Sequence, residues 1–195
     1  MKNALSSSLP RRGFLSLGLA TGVTMALATK ADAASVGYSY QLQATQSWCS
    51  AASSRIALTA RDRFPTQASL ANSLGLEGGS GLQDPYAIAR VLNNRLGIAD
   101  RTQRYYFRQP AAGTLKTALR SRVVRSIDAG YPVVINMEWV DGDHFDAGHY
   151  IAIVGYGAGT YKIADPFRSS RNGVWRNDDD IVAWNKLNRF TAYGA

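Results

Sequence analysis

The chain has 195 residues, 46% of them hydrophobic, a formal charge of +8 at neutral pH and a single cysteine, which is enough length for one domain with its own core and excludes an internal disulfide framework. Lys2, Arg11, Arg12 and Lys30 stand against Asp32 in the first 33 residues, so about +3 of the charge belongs to that segment and roughly +5 to the rest. The remaining arginines are scattered, mostly over polar helix faces, and no nucleic-acid motif accompanies them. They describe a solvated basic surface suited to an anionic cell envelope, with no nucleic-acid partner.

In chain order, residues 1–33 read as a secretory signal: a basic start, an apolar stretch over 13–28 and the small-residue site Ala31-Asp32-Ala33. Arg11-Arg12 followed by Gly13-Phe14-Leu15 resembles a twin-arginine export signal. The apolar run of about sixteen residues is short for a membrane span. Cleavage after Ala33 is therefore expected. Residues 34–195 would then form one exported domain, periplasmic, envelope-associated or secreted, with no stable membrane insertion. No cysteine lies near the cleavage site, which excludes a lipoprotein anchor.

A first helix is expected after Ser47 as N-cap, with Ala52, Ile56 and Ala60 at helical spacing. A second is expected over 66–74. The third has Asp84 as N-cap and Pro85 at its first position, Ile88, Val91, Leu92 and Leu96 on one face, and Gly97 as its stop. A fourth runs over 114–128 with Leu115, Leu119, Val123 and Ile127 in register. From there the chain reads as strands: "YPVVINMEW", then "HYIAIVGY" and "TYKIAD" as a hairpin, with "DGDHFDAG" as a polar loop before it. "RNDDDIVAWNKL" reads as a short helix with acids at its start, and "RFTAY" as a closing strand. Helices first and an antiparallel sheet after is an α+β pattern.

The lone Cys49 sits where the polar loop "LQATQSW" turns into the first helix. A helix start carries unpaired N–H groups and favours a thiolate. On its own, such a cysteine is more often a small buried core residue. A nucleophile needs a basic partner and a third group to orient that partner. The two histidines are His144, in the polar loop, and His149, at the start of an apolar strand where a side chain is held more firmly. Asp165 ends the neighbouring strand and Pro166 stops the ladder after it. The spacing of Asp141, Asp143, His144, Asp146 and His149 fits neither a calcium loop nor a zinc helix, and "GYGAG" precedes a strand, not a helix, so it is no phosphate loop. No metal and no cofactor are expected.

Together "QATQSWCSAA", "GHYIAIVGYG" and "IADP" resemble the papain-like cysteine peptidases, and most closely the bacterial branch related to bacteriocin-leader peptidases. The resemblance implies a papain-like fold with N-terminal helices packed on a C-terminal antiparallel sheet. It implies a Cys49, His149, Asp165 triad that hydrolyses peptide bonds through a thioester. It also implies Gln43, six residues before the cysteine, as an oxyanion donor, with Gln46 its nearest competitor. The sequence departs from the papain pattern in having Trp48 before the cysteine and Ser50 after it. The partner would be a peptide or protein substrate; the sequence does not specify which, nor the oligomeric state. Two alternatives use the same residues: a transglutaminase-type acyltransferase, or a non-catalytic peptide-binding module.

Parity adds an expectation. His149 and Asp165 are an even number of positions apart, so they share a sheet face only if the hairpin loop between them is odd, or if a bulge intervenes. A three- or five-residue loop is expected, with Gly157 or Gly159 in the left-handed region and both side chains facing the helix of Cys49.

Overall fold

The structure is a computed structural model that describes residues 33–76 and 79–195. Residues 1–32, nearly all of the expected signal segment, lie outside the described residues. The described residues form one compact unit. Among the described residues the helices are α1 (Cys49–Thr59), α2 (Gln67–Leu74), α3 (Tyr86–Leu96), α4 (Leu115–Asp128) and α5 (Asp178–Trp184). The strands are β1 (Ala34–Ser35), β2 (Tyr105–Arg108), β3 (Val133–Val140), β4 (Asp143–Gly157), β5 (Thr160–Ala164), β6 (Asn172–Asn177) and β7 (Asn185–Tyr193). The fold is α+β. The sheet runs β2-β7-β3-β4-β5-β6, every pairing antiparallel, and β1 pairs with β4 beyond the end of β3.

Strand alternation divides the core. Val134 and Tyr150 pack with α1, α2 and α3, and Ala152 and Val154 with Ile56 of α1. On the other face Val133, Ile135, Met137, Ile151, Ile153 and Ile163 pack with Leu115, Leu119, Val123 and Ile127 of α4. All residues of α1 are buried, which explains its run of Ala and Ser: small side chains let the helix sit close on every side. Ser53 Oγ donates to the Tyr150 carbonyl at 2.8 Å and pins α1 to β4 one residue from His149.

Several local expectations need revision. The N-cap of α1 is Trp48, with no side-chain cap bond, and Ser47 only meets Thr45 Oγ1 at 3.3 Å. Thr66 does cap α2, accepting from Ser69 N, and Asp84 Oδ1 accepts from Tyr86 N at the start of α3. The polar stretch 143–148 is not a loop but the first part of β4. It joins β3 through a two-residue Asp141-Gly142 turn with φ of 47° and 88°, the backbone a tight hairpin needs.

The β4–β5 turn is also revised. Gly157 pairs with Thr160, leaving the two-residue turn Ala158-Gly159, with Gly159 at φ 65°. The loop is even, not odd. The register then slips, because Gly155 pairs with Lys162 but Ile153 with Ile163. Val154 is the extra residue of a β-bulge, and its carbonyl accepts from Val36 N at 2.9 Å. That one residue restores the parity, so His149 and Asp165 lie on one face after all.

Candidate active site

Cys49 is the first residue of α1, where the helix's leading N–H groups have no intrahelical acceptor. His149 lies on β4 opposite Met137. By alternation along β4 and β5, His149 and Asp165 share one face of the sheet, and the imidazole reaches Cys49 at the start of α1. The pairing of β4 with β5 ends at Ala152↔Ala164. At that open end the α1 start meets the two side chains. The loop before α1 closes over the gap: Gln43 N donates to the Pro166 carbonyl at 2.8 Å, and Tyr40 Oη to the Asp165 carbonyl at 2.8 Å.

The relay is continuous. His149 Nε2 lies 2.6 Å from Asp165 Oδ1, with the two side chains 3% and 0% exposed. Cys49 hydrogen-bonds the same imidazole, and with Nε2 engaged by Asp165 the nitrogen left for sulfur is Nδ1. Phe145 stacks on the His149 ring at 4.2 Å and Phe167 meets it edge-on at 5.9 Å. Burial by itself would lower the His149 pKa. The hydrogen bonds to Asp165 and Cys49, and their charges, outweigh it and raise the value from 6.5 to about 9. The geometry therefore favours an imidazolium beside the thiol at neutral pH.

Gln43 lines the same cavity as Cys49 and His149. Its Nε2 donates to the carbonyls of Thr45 and Gln46, each at 2.9 Å, while Oε1 is buried with no partner. Both amide protons are thus committed within the loop. Gln46 contributes its backbone carbonyl to that arrangement. His144 lines the same cavity, but its ring meets Trp139 at a tilt, 4.2 Å between centroids, and its Nδ1 lies 3.2 Å from Asp146. Asp141 and Asp143 pair with arginines.

The cleft extends to both sides of Cys49. One side is a cavity of about 380 Å³ with Leu82, Asn136, Tyr150 and Leu187 in its walls. The other, of about 310 Å³, is walled by Phe145, His149, Phe167 and Arg168. Phe145, Phe167 and Arg171, all close to the relay, were not visible as site residues in the sequence. Phe167 and Arg171 follow Asp165 by two and six positions, and that proximity was the only available signal.

Residues 35–194 match the profile of the Peptidase_C39 like family. The chain belongs to that family. Its fold is similar to those of solved peptidase structures. A Bacillus anthracis protein described as a C39-like peptidase superposes with a TM-score of 0.60 at 14% identity, over 85% of this chain and 98% of that one. The peptidase domain of Streptococcus ComA, a bifunctional ABC transporter, gives 0.57 at 15%, over 81% and 98%. A double-glycine-motif protease from an AMS/PCAT transporter, solved with its leader peptide, gives 0.56 at 11%, over 83% and 94%. No curated protein sequence matches significantly. Family and fold together support a cysteine peptidase of the C39-like, papain-like type. Among the described residues no helix is long and apolar enough to cross a membrane, and no cluster of His, Cys, Asp or Glu is arranged to hold a metal ion.

Proposed function

We propose that this C39-like chain is an exported peptidase that hydrolyses peptide bonds through a Cys49 acyl-thioester. The observation that carries the reading is the buried relay from Cys49 through His149 to Asp165 at the floor of a two-sided cleft. The Cys49 thiolate attacks the substrate carbonyl carbon. The C–N bond breaks as His149 Nδ1 delivers its proton to the leaving amine. Water then attacks the thioester and gives a proton to His149, the C–S bond breaks and the acid departs. Asp165 fixes the ring's tautomer and direction throughout. The oxyanion would be met by the Cys49 backbone N–H and by a Gln43 amide proton released from its loop carbonyl. The twin-arginine-type pattern of residues 1–33 supports export, and the solved neighbour with a bound leader peptide supports a peptide substrate.

The test is incubation of the purified protein with a mixed peptide library, read by mass spectrometry, beside Cys49→Ala. Cleavage by the native chain alone is expected. Products carrying an added amine in place of water would make it a transferase, and cleavage that survives Cys49→Ala would overturn the nucleophile.

A further inference from the structure

The relay does not end at Asp165. Its Oδ1 accepts from His149 Nε2 and, at 2.9 Å, from Phe167 N; its Oδ2 lies 3.2 Å from Arg171 Nη1. Arg171 is 6% exposed and closes a short 3₁₀ turn, Ser169–Arg171, after β5. The same guanidinium reaches the β3–β4 turn. Its Nη2 is 2.8 Å from Asp143 Oδ2 and its Nε is 3.2 Å from Asp141 Oδ2. One planar fork therefore touches three carboxylates from two segments. The other cations facing this cluster are already committed: Arg168 Nη2 to Asp143 at 2.8 Å, and Arg176 to Asp141 through two bonds of 2.6 and 2.8 Å. Of these three guanidiniums, Arg171 is the one paired with Asp165. Tyr40 approaches from the loop before α1, but its hydroxyl goes to the Asp165 backbone carbonyl.

A carboxylate with no exposure needs compensation for its lost hydration. The Arg fork supplies charge and direction together, which a lysine, as a point charge, does not. We propose that Arg171 is a positioning residue for the peptidase reaction: it holds the Asp165 carboxylate aimed at His149, and it ties that aim to the β3–β4 turn. The proposal rests on the triad reading above. It extends the machinery to a residue that touches neither substrate nor sulfur.

The test uses the full chain and needs no known substrate. Iodoacetamide alkylation of Cys49 is timed at about pH 6 for the native protein, Arg171→Gln, Arg171→Lys and Arg176→Gln. The low-field ring N–H proton of His149 is followed by NMR in each, with Tm as a measure of folding. Arg171→Gln is expected to slow alkylation about tenfold at temperatures where it is fully folded, and to broaden or lose the low-field proton. Arg171→Lys, which keeps charge without the fork, should fall about threefold and retain a shifted proton signal. Arg176→Gln, which breaks an ion pair on the same turn without touching Asp165, should match the native rate. An unchanged rate and signal in Arg171→Gln would overturn the proposal, as would a loss that only tracks the unfolded fraction. If Arg171→Gln does not fold, a native rate and an unshifted signal in Arg171→Lys overturn it instead. Failure of the triad reading is separate: the native protein itself would then show slow alkylation and no low-field proton.

Discussion

Gly148 stands directly before His149 with φ of +81°. A Cβ added there would lie 2.9 Å from Asn136 Nδ2, 3.2 Å from Asn136 Oδ1 and 3.3 Å from Lys186 Cδ. Gly148→Ala therefore meets two penalties. Left-handed backbone costs an alanine about 1–2 kcal/mol. Displacing Asn136, 6% exposed and packed across from Tyr150, adds about 1 kcal/mol of overpacking. Together they come to about 2–3 kcal/mol, or a fall in Tm of roughly 5–10 °C for a domain of this size. Relief of the strain would rotate the backbone on which the imidazole rides, and a displacement near 1 Å costs on the order of 10² in rate. Differential scanning fluorimetry and Cys49 alkylation at a temperature where the variant stays folded measure both effects. Gly142→Ala is the control: its φ is +88° but nothing lies within 4 Å of the added Cβ, so it should lose about 1–2 kcal/mol and no reactivity. A Gly148→Ala protein with native Tm and native alkylation would refute the reasoning.

Cys49→Ala should abolish cleavage and alkylation while shifting Tm by only a few degrees, since it removes one sulfur from a site 7% exposed. Because the folded His149 value, about 9, lies above its ordinary 6.5, the linked stabilisation is complete below pH 6.5 and is lost as pH rises through 9. Urea melts at both ends should differ by at most about 3 kcal/mol. Alkylation should show its alkaline limb near pH 9, and Asp165→Asn should draw that limb down by about one unit or more; a limb that stays in place removes Asp165 as the partner. Gln43→Ala should lower kcat by roughly 10²–10³ with little change in KM, whereas a loss below about threefold with a lower Tm would assign its amide solely to the Thr45 and Gln46 carbonyls.

The sequence made the α+β order and the positions of Cys49, His149 and Asp165 legible because each sits at an element boundary that local chemistry marks: a loop-to-helix junction, the start of an apolar strand, a residue before proline. Residues 143–148 were misread because that half of β4 is polar and largely exposed, so its strand identity comes from pairing with β3 and not from its own pattern. Arg171 was invisible for a different reason. Two of its three partners, Asp141 and Asp143, lie some 30 positions earlier in the chain, and only the sheet brings them alongside. The even turn was missed because a bulge leaves no mark in hydrophobic alternation when the extra residue, Val154, is as apolar as its neighbours.

That bulge and the Ala158-Gly159 turn behave like two offsetting slips in a reading frame. Delete one residue from either and every side chain upstream of the change in β4 trades faces relative to β5, His149 included. Delete one from the bulge and add one to the turn, and the frame returns. The hairpin can therefore exchange a two-residue turn plus bulge for an odd loop and a straight ladder without disturbing the His149–Asp165 pair, and a protein engineer who changes loop length here has to change it in that coupled way.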